Sequence, residues 1–265
     1  MEWKRVRNWL ILLVLAVDLF LAGNLAMQWL GAEQTLRQAA EDAVAVARSR
    51  GVALSLENVL ALPEEMPVYQ TRRSDSLEQA AAMTLLGEET VQESRGGGVS
   101  VYHTDGGELS FRRGGALELQ MPWTGEAFYA RECAEVLAQA GFSTQEAQLQ
   151  EQNGAVELLQ CYEGLPVFNS RLICTCADGV LQARGRWMLA ETPADGGLSL
   201  TRAQLVLALC DLLEGQQVTQ LAQVQAGYYL QSEDAQSLTL EPVWAVETDR
   251  GQLILSCITG KQVNF

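Results

Sequence analysis

The most constraining feature of this 265-residue chain is one uninterrupted apolar run near its start. Trp9 to Leu30 reads WLILLVLAVDLFLAGNLAMQWL. As a helix these residues extend about 33 Å at ~1.5 Å per residue, enough to cross a bilayer. Twelve of them are Leu, Ile, Val or Phe. Together they favour insertion by roughly 4–7 kcal/mol, against about 2.5–3.5 kcal/mol for the central Asp18. Trp9 and Trp29 stand near the two ends, where indoles prefer the membrane–water interface. The sequence therefore predicts a single transmembrane helix over 9–30.

Orientation follows from charge. Lys4, Arg5 and Arg7 form a basic arm over residues 1–8, whereas the far flank begins Gly31-Ala32-Glu33. The excess of cations on one side predicts a cytoplasmic N-terminus with residues 31–265 outside the cytoplasm, on a single-pass protein of the cell membrane. A cleaved signal would carry a shorter apolar core and a small-residue cleavage site, and neither is present. Leu21-Ala22-Gly23 resembles a lipoprotein signal, but Asn24 stands where the lipidated cysteine would be.

Asp18, Ala22 and Ala26 recur every four residues, with Trp29 close to the same stripe. A carboxylate inside a bilayer faces protein or water, and small residues at this spacing allow close helix–helix approach. The stripe is a candidate contact face for another membrane helix. The alternative is a tolerated acid among alanines that fall there by chance.

Beyond residue 30 there are 15 basic and 31 acidic residues, a net of −16. Such a surface repels nucleic acid and anionic headgroups, so no nucleic-acid partner is expected. Apolar residues make up 48% of the chain, enough for a substantial core.

Three helices, near 76–86, 127–140 and 201–213, are each followed by short strands with tight turns between them. Asn153-Gly154, Asp178-Gly179 and Arg250-Gly251 supply the positive backbone angles that hairpins need. Ser76 with Gln79, and Thr201 with Gln204, fit capping boxes. Gly87, Gly141 and Gly215 are placed to end the three helices. The pattern predicts an α+β fold of repeated helix-plus-antiparallel-meander modules. An N-terminal region over 31–122 would precede a C-terminal domain over 123–265 holding two modules. Within the first region a helix is expected at 33–50, a short one around 55–61 and a strand near 68–72.

The six cysteines are Cys133, Cys161, Cys174, Cys176, Cys210 and Cys257; Cys133 falls on an apolar helical stripe and Cys174, Cys176 and Cys257 at strand spacing, which favours buried thiols, with a disulfide as the alternative. Zinc needs about four ligands, and Cys174-x-Cys176 beside a single histidine, His103, is a weak metal signal. No phosphate-binding loop, HExxH or nucleophile–base pattern occurs. No catalytic residue, metal or cofactor is assigned, and the chain is expected not to be an enzyme. Acidic pairs such as Glu64-Glu65 and Glu88-Glu89 leave a carboxylate hydrolase as a minor alternative.

Three stretches resemble the YycI/YycH family of accessory proteins to an essential two-component system of Gram-positive bacteria. The first is Met1-Glu2-Trp3-Lys4-Arg5 leading into an apolar anchor. The second is Tyr162-Glu163 followed by Gly164, Leu165, Pro166, Val167 and Phe168. The third joins Pro242-Val243-Trp244 to Ile258-Thr259-Gly260, and it also looks like the end of PepSY-type modules. The resemblance implies a single-pass regulator, without catalytic residues, that binds a membrane sensor histidine kinase through its transmembrane helix. It also implies a YycH-like sister protein as partner and an effect on cell-wall metabolism. The PepSY-like ending offers a second expectation, a binding module that restrains a peptidase.

Overall fold

The computed structural model describes residues 2–123, 125, 128–189, 193–216, 218, 221–232 and 234–263; side chains of 2–12, 16, 22–33, 94, 95 and 216 lie outside this description. The chain has a mixed α/β architecture with a 13-stranded sheet and helices packed on it.

Helix α1 runs without a break over Glu2–Ser49. Its two halves have different surroundings. Leu13, Val14, Leu15, Val17, Leu19, Phe20 and Leu21 are all exposed, whereas Ala40, Ala43, Val44 and Ala47 are buried. The second half packs on α5 (Arg202–Gln216), and small residues at Ala40, Ala43 and Ala47 let the two helices approach. Arg50, just past its end, donates to Asp211 of α5 at 2.5 Å. Among the described residues, no helix is long and apolar enough to cross a membrane. Much of the expected span 9–30 falls outside the described side chains.

After the short α2 (Leu56–Leu60) come β1 (Pro67–Arg72) and α3 (Asp75–Leu86). A four-stranded meander follows: β2 (Val91–Gly96), β3 (Val99–Thr104), β4 (Gly107–Phe111) and β5 (Ala116–Pro122). Helix α4 (Ala130–Gln139) then leads into β6 (Gln148–Gln152), β7 (Ala155–Tyr162), β8 (Leu165–Ala177) and β9 (Val180–Arg186). The edge strand β10 (Ala194–Leu198) precedes α5, and β11 (Leu221–Ser232), β12 (Ser237–Thr248) and β13 (Gly251–Ser256) close the chain. Positive φ at Asn153-Gly154, Glu163-Gly164 and Asp178-Gly179 makes three tight hairpin turns.

The strands group differently from the expected division at residues 122–123. Strand β5 pairs along its length with β9, so the first two meanders form one continuous surface. Its core is built around Leu109, Leu137, Leu158 and Leu172, and includes residues of α3 and α4. Strand β1 joins the C-terminal group instead, between β10 and β12. Buried residues between Ala40 and Met66 share that group's core with Leu205, Leu209, Trp244 and Leu255. Local periodicity cannot reveal this, because strand partners are chosen by long-range packing.

Two local expectations are corrected. Helix α3 begins after Ser74, whose side chain makes no cap bond to the backbone, so the Ser76–Gln79 box does not form. Gly215 lies inside α5, which continues to Gln216. The Thr201–Gln204 box does form, with the Thr201 amide donating to Gln204 Oε1 at 3.0 Å and the Gln204 amide to Thr201 Oγ1 at 3.5 Å.

Strand β8 holds the two groups together. Its second half pairs with β9, and its first half meets β11 in a parallel contact at Val167 and Tyr228. Gly227 makes this approach feasible, since a Cβ there would lie 2.5 Å from the Pro166 carbonyl oxygen. Asn169 completes the contact: its Nδ2 donates to the Leu230 carbonyl at 2.9 Å, and its Oδ1 accepts from the Leu230 amide at 2.8 Å. One side-chain amide thus pairs with β11 as a strand peptide would. Replacing Asn169 with Leu strands one donor and one acceptor, each costing about 1–3 kcal/mol. Chemical denaturation of Asn169→Leu is therefore expected to show a lower midpoint at unchanged slope. A midpoint equal to that of the parent would refute the role of this contact.

Candidate functional site

The β7–β8 hairpin carries the Gly164, Leu165 and Pro166 motif to the seam between the sheet groups. Tyr162 pairs with Leu165 across the turn. Beside them Tyr69 of β1, Tyr162 and Tyr228 of β11 form a ring cluster, with centroids 4.9, 5.8 and 6.0 Å apart. The Tyr69 hydroxyl donates to Glu163 Oε2 at 2.7 Å. Burial, with Glu163 adding to it, pushes the Tyr69 phenol up to about 12. Burial likewise raises Tyr162 and Tyr228.

The same turn borders a cavity of about 610 Å³. Leu77 and Thr84 of α3, Gln139 at the end of α4, and Cys161, Tyr162 and Met188 line it, with the carboxylates of Glu146 and Glu163. It combines apolar surface with a few hydrogen-bonding groups, which suits binding. A second cavity of about 580 Å³ brings together Glu88, Glu89, His103 and Asp105, groups that the sequence leaves scattered. Among the described residues, no group of three or more His, Cys, Asp or Glu side chains is placed to hold a metal ion.

The other motif residues are built into the fold. Pro242 pairs with Tyr228, and its carbonyl accepts from the Cys257 amide at 2.9 Å. Trp244 is fully buried in the core that α5 shares. Thr259 and Gly260 form the turn after β13, where the Gly260 amide donates to the Ser256 carbonyl at 3.0 Å. A Cβ on Gly260 would sit 3.0 Å from Ala208, so this turn rests on α5. Asp18 is an exposed residue of α1; the side chains of Ala22, Ala26, Trp29, Lys4, Arg5 and Arg7 lie outside the described ones.

Three buried polar constellations were not anticipated from the sequence. Gln160 accepts from the Met188 amide at 2.9 Å and donates to its carbonyl at 3.1 Å, while Ser170 donates to it at 2.6 Å. Glu241 accepts from Gln231 and from Ser256. Arg73, at the join of β1 and α3, forms a two-pronged pair with Glu78 and also donates to the Gly98 carbonyl. Both side chains are almost wholly buried. Burial opposes the Arg73 charge, but the hydrogen bond and attraction of Glu78 outweigh it and raise its pKa. At the Glu78 carboxyl burial prevails over Arg73 and holds the group above its ordinary value. The only signal for these groups in the sequence is a polar residue inside an apolar strand or at an element boundary.

No family model matches the chain, and no curated protein does. Solved structures are similar in outline. An uncharacterized protein from Eubacterium rectale aligns at 11% identity over 77% of this chain and 88% of its own, with a TM-score of 0.43. YycH from Bacillus subtilis aligns at 14% identity over 75% of this chain and 53% of its own, with a TM-score of 0.41. The C-terminal domain of YpeB from Bacillus megaterium aligns at 8% identity over 73% and 97%, with a TM-score of 0.33. Likeness at this level assigns no function.

Two outcomes are expected. Glu78→Gln leaves Arg73 buried without a counter-charge and destabilises the chain by about 3–5 kcal/mol; thermal unfolding at neutral pH checks it, and an unchanged transition refutes it. The raised phenols concern stability at high pH. An unfolded tyrosine loses its proton near 10.0, whereas burial lets folded Tyr69, and Tyr102 in the core beneath β3, hold theirs to about 12. Their contribution is complete below pH ~10 and is lost as pH rises toward ~12. Absorbance titration should show a late fraction of the tyrosinate signal, from the raised phenols, forming together with unfolding. Titration of every tyrosine near its ordinary value in the folded chain would overturn this.

Proposed function

We propose that the chain is a non-catalytic regulator anchored in the cell membrane by α1, with residues 31–265 outside the cytoplasm. In this role it binds a membrane sensor histidine kinase and tunes its output, alongside a YycH-like sister protein. The observation that carries the reading is the contrast within α1. The exposed apolar residues between Leu13 and Leu21 are spread around the helix, while the half that follows buries one stripe against α5. A helix apolar all round is stable in hydrocarbon or inside protein, not against water. The basic arm of Lys4, Arg5 and Arg7 supports the orientation. The kinase and the sister protein rest on the family resemblance together with the Asp18, Ala22, Ala26 and Trp29 stripe. The PepSY-like ending supports the second reading, restraint of a peptidase by the exterior region.

The test is recovery from native membranes. The full chain is expected to stay with the membrane through an alkaline wash and to be labelled by an impermeant reagent from outside. Asp18→Leu should leave that anchoring intact, because it removes a cost of about 2.5–3.5 kcal/mol. Crosslinked recovery of the kinase should nevertheless fall several-fold. A freely diffusing mature chain that starts at residue 31 or later defeats the anchor. Unchanged recovery of kinase with Asp18→Leu defeats the contact face.

A further inference from the structure

The larger cavity, of about 610 Å³, is assembled from parts of the chain that are far apart in sequence. Helix α3 presents Leu77 and Ala80, three residues apart and so on one face. The β7–β8 hairpin adds Cys161, Tyr162 and Glu163, and Glu146 comes from the loop between α4 and β6. The lining carries two carboxylates and no Lys, Arg or His. Among the described residues, Glu146 makes no hydrogen bond or ion pair, and Glu163 makes one hydrogen bond, from the Tyr69 hydroxyl. The cavity therefore supplies negative charge and an apolar wall without a counter-charge of its own.

Glu163 also holds an uncommon backbone position. Its φ of 51° is left-handed, a conformation that favours Gly, Asn or Asp. The other two hairpin turns of this kind meet that preference with Asn153 and Asp178. A glutamate at this place gives up turn preference for a longer reach, which brings its carboxylate to Tyr69 and to the cavity.

We propose that this cavity binds a small organic cation, an apolar body that ends in a primary ammonium group. The body lies against Leu77 and Ala80 of α3. The ammonium donates to the carboxylates of Glu146 and Glu163 and is drawn to the Tyr162 ring, whose π face attracts a cation. The volume suits a single small molecule held in a partly apolar pocket. The net charge of −16 beyond residue 30 draws cations toward the site and repels anions. The site lies wholly in that region and goes beyond the regulatory reading, so failure of the membrane anchor leaves it untouched.

The experiment titrates the full chain, in non-ionic detergent, with phenethylamine. Phenethyl alcohol and phenylacetate serve as the neutral and anionic counterparts, and ligand-observed NMR is read against a detergent blank. The amine is expected to bind saturably, the alcohol about tenfold more weakly, and phenylacetate not at all. Glu146→Gln and Glu163→Gln should each weaken the amine about two- to fivefold and leave the alcohol unchanged. Ala80→Phe, at an exposed position of α3, should fill the cavity and abolish binding of both. Thermal unfolding checks that each variant is folded. Cys161 gives the location: the amine should slow its alkylation, mapped by peptide mass spectrometry, and leave that of the half-buried Cys176 unchanged. Absence of saturable amine binding, equal binding of amine and alcohol, or amine affinity unmoved by both glutamate substitutions would each overturn the proposal. So would amine binding that leaves Cys161 unprotected, because the site would then lie elsewhere.

Discussion

The structure depends on one close approach, the parallel contact of β8 with β11. Two sheet groups with separate cores become one sheet only because Gly227 presents no side chain to the Pro166 carbonyl. The contact is short, and Asn169 extends it by offering Leu230 the donor and acceptor that a neighbouring peptide would supply. Gln160 of β7 does the same for Met188, just past β9. Where strands diverge, backbone groups lose their partners, and an unpaired buried amide is costly. Side-chain amides fill those gaps, which lets the sheet bend and divide without leaving polar groups stranded.

The same seam places the features with binding character. The β7–β8 turn brings Tyr162 and Glu163 both to the tyrosine cluster and to the lining of the larger cavity. Arg73 ties the start of α3 to the loop before β3, so the join between the two sheet groups is fixed by charge as well as by packing. The N-terminal helix belongs to the other core, where Ala40, Ala43, Val44 and Ala47 dock it beside α5. An event that moved α1 would act first on the β1–β12–β11 group, and through β8 on the rest.

Much of the local structure was legible in the sequence. The hairpin turns at Asn153-Gly154 and Asp178-Gly179, the capping box at Thr201 and the placement of α2 follow from short-range chemistry. The strand β10 was not legible, since Ala194-Asp195-Gly196-Gly197-Leu198 has no strand pattern and pairs only because β1 offers an open edge. The motif residues Trp244, Thr259 and Gly260 were visible as a pattern, but their work proved to be packing and turn formation.

By itself, the sequence determined the element types apart from β10, most turn positions, the acidity of the region beyond residue 30 and the apolar first helix, because these depend on residues close together along the chain. The tertiary structure alone decided which strands pair, that β1 belongs with β12, and that β5 meets β9. Those choices are settled by burial and backbone pairing between segments far apart in sequence, where no local periodicity reaches.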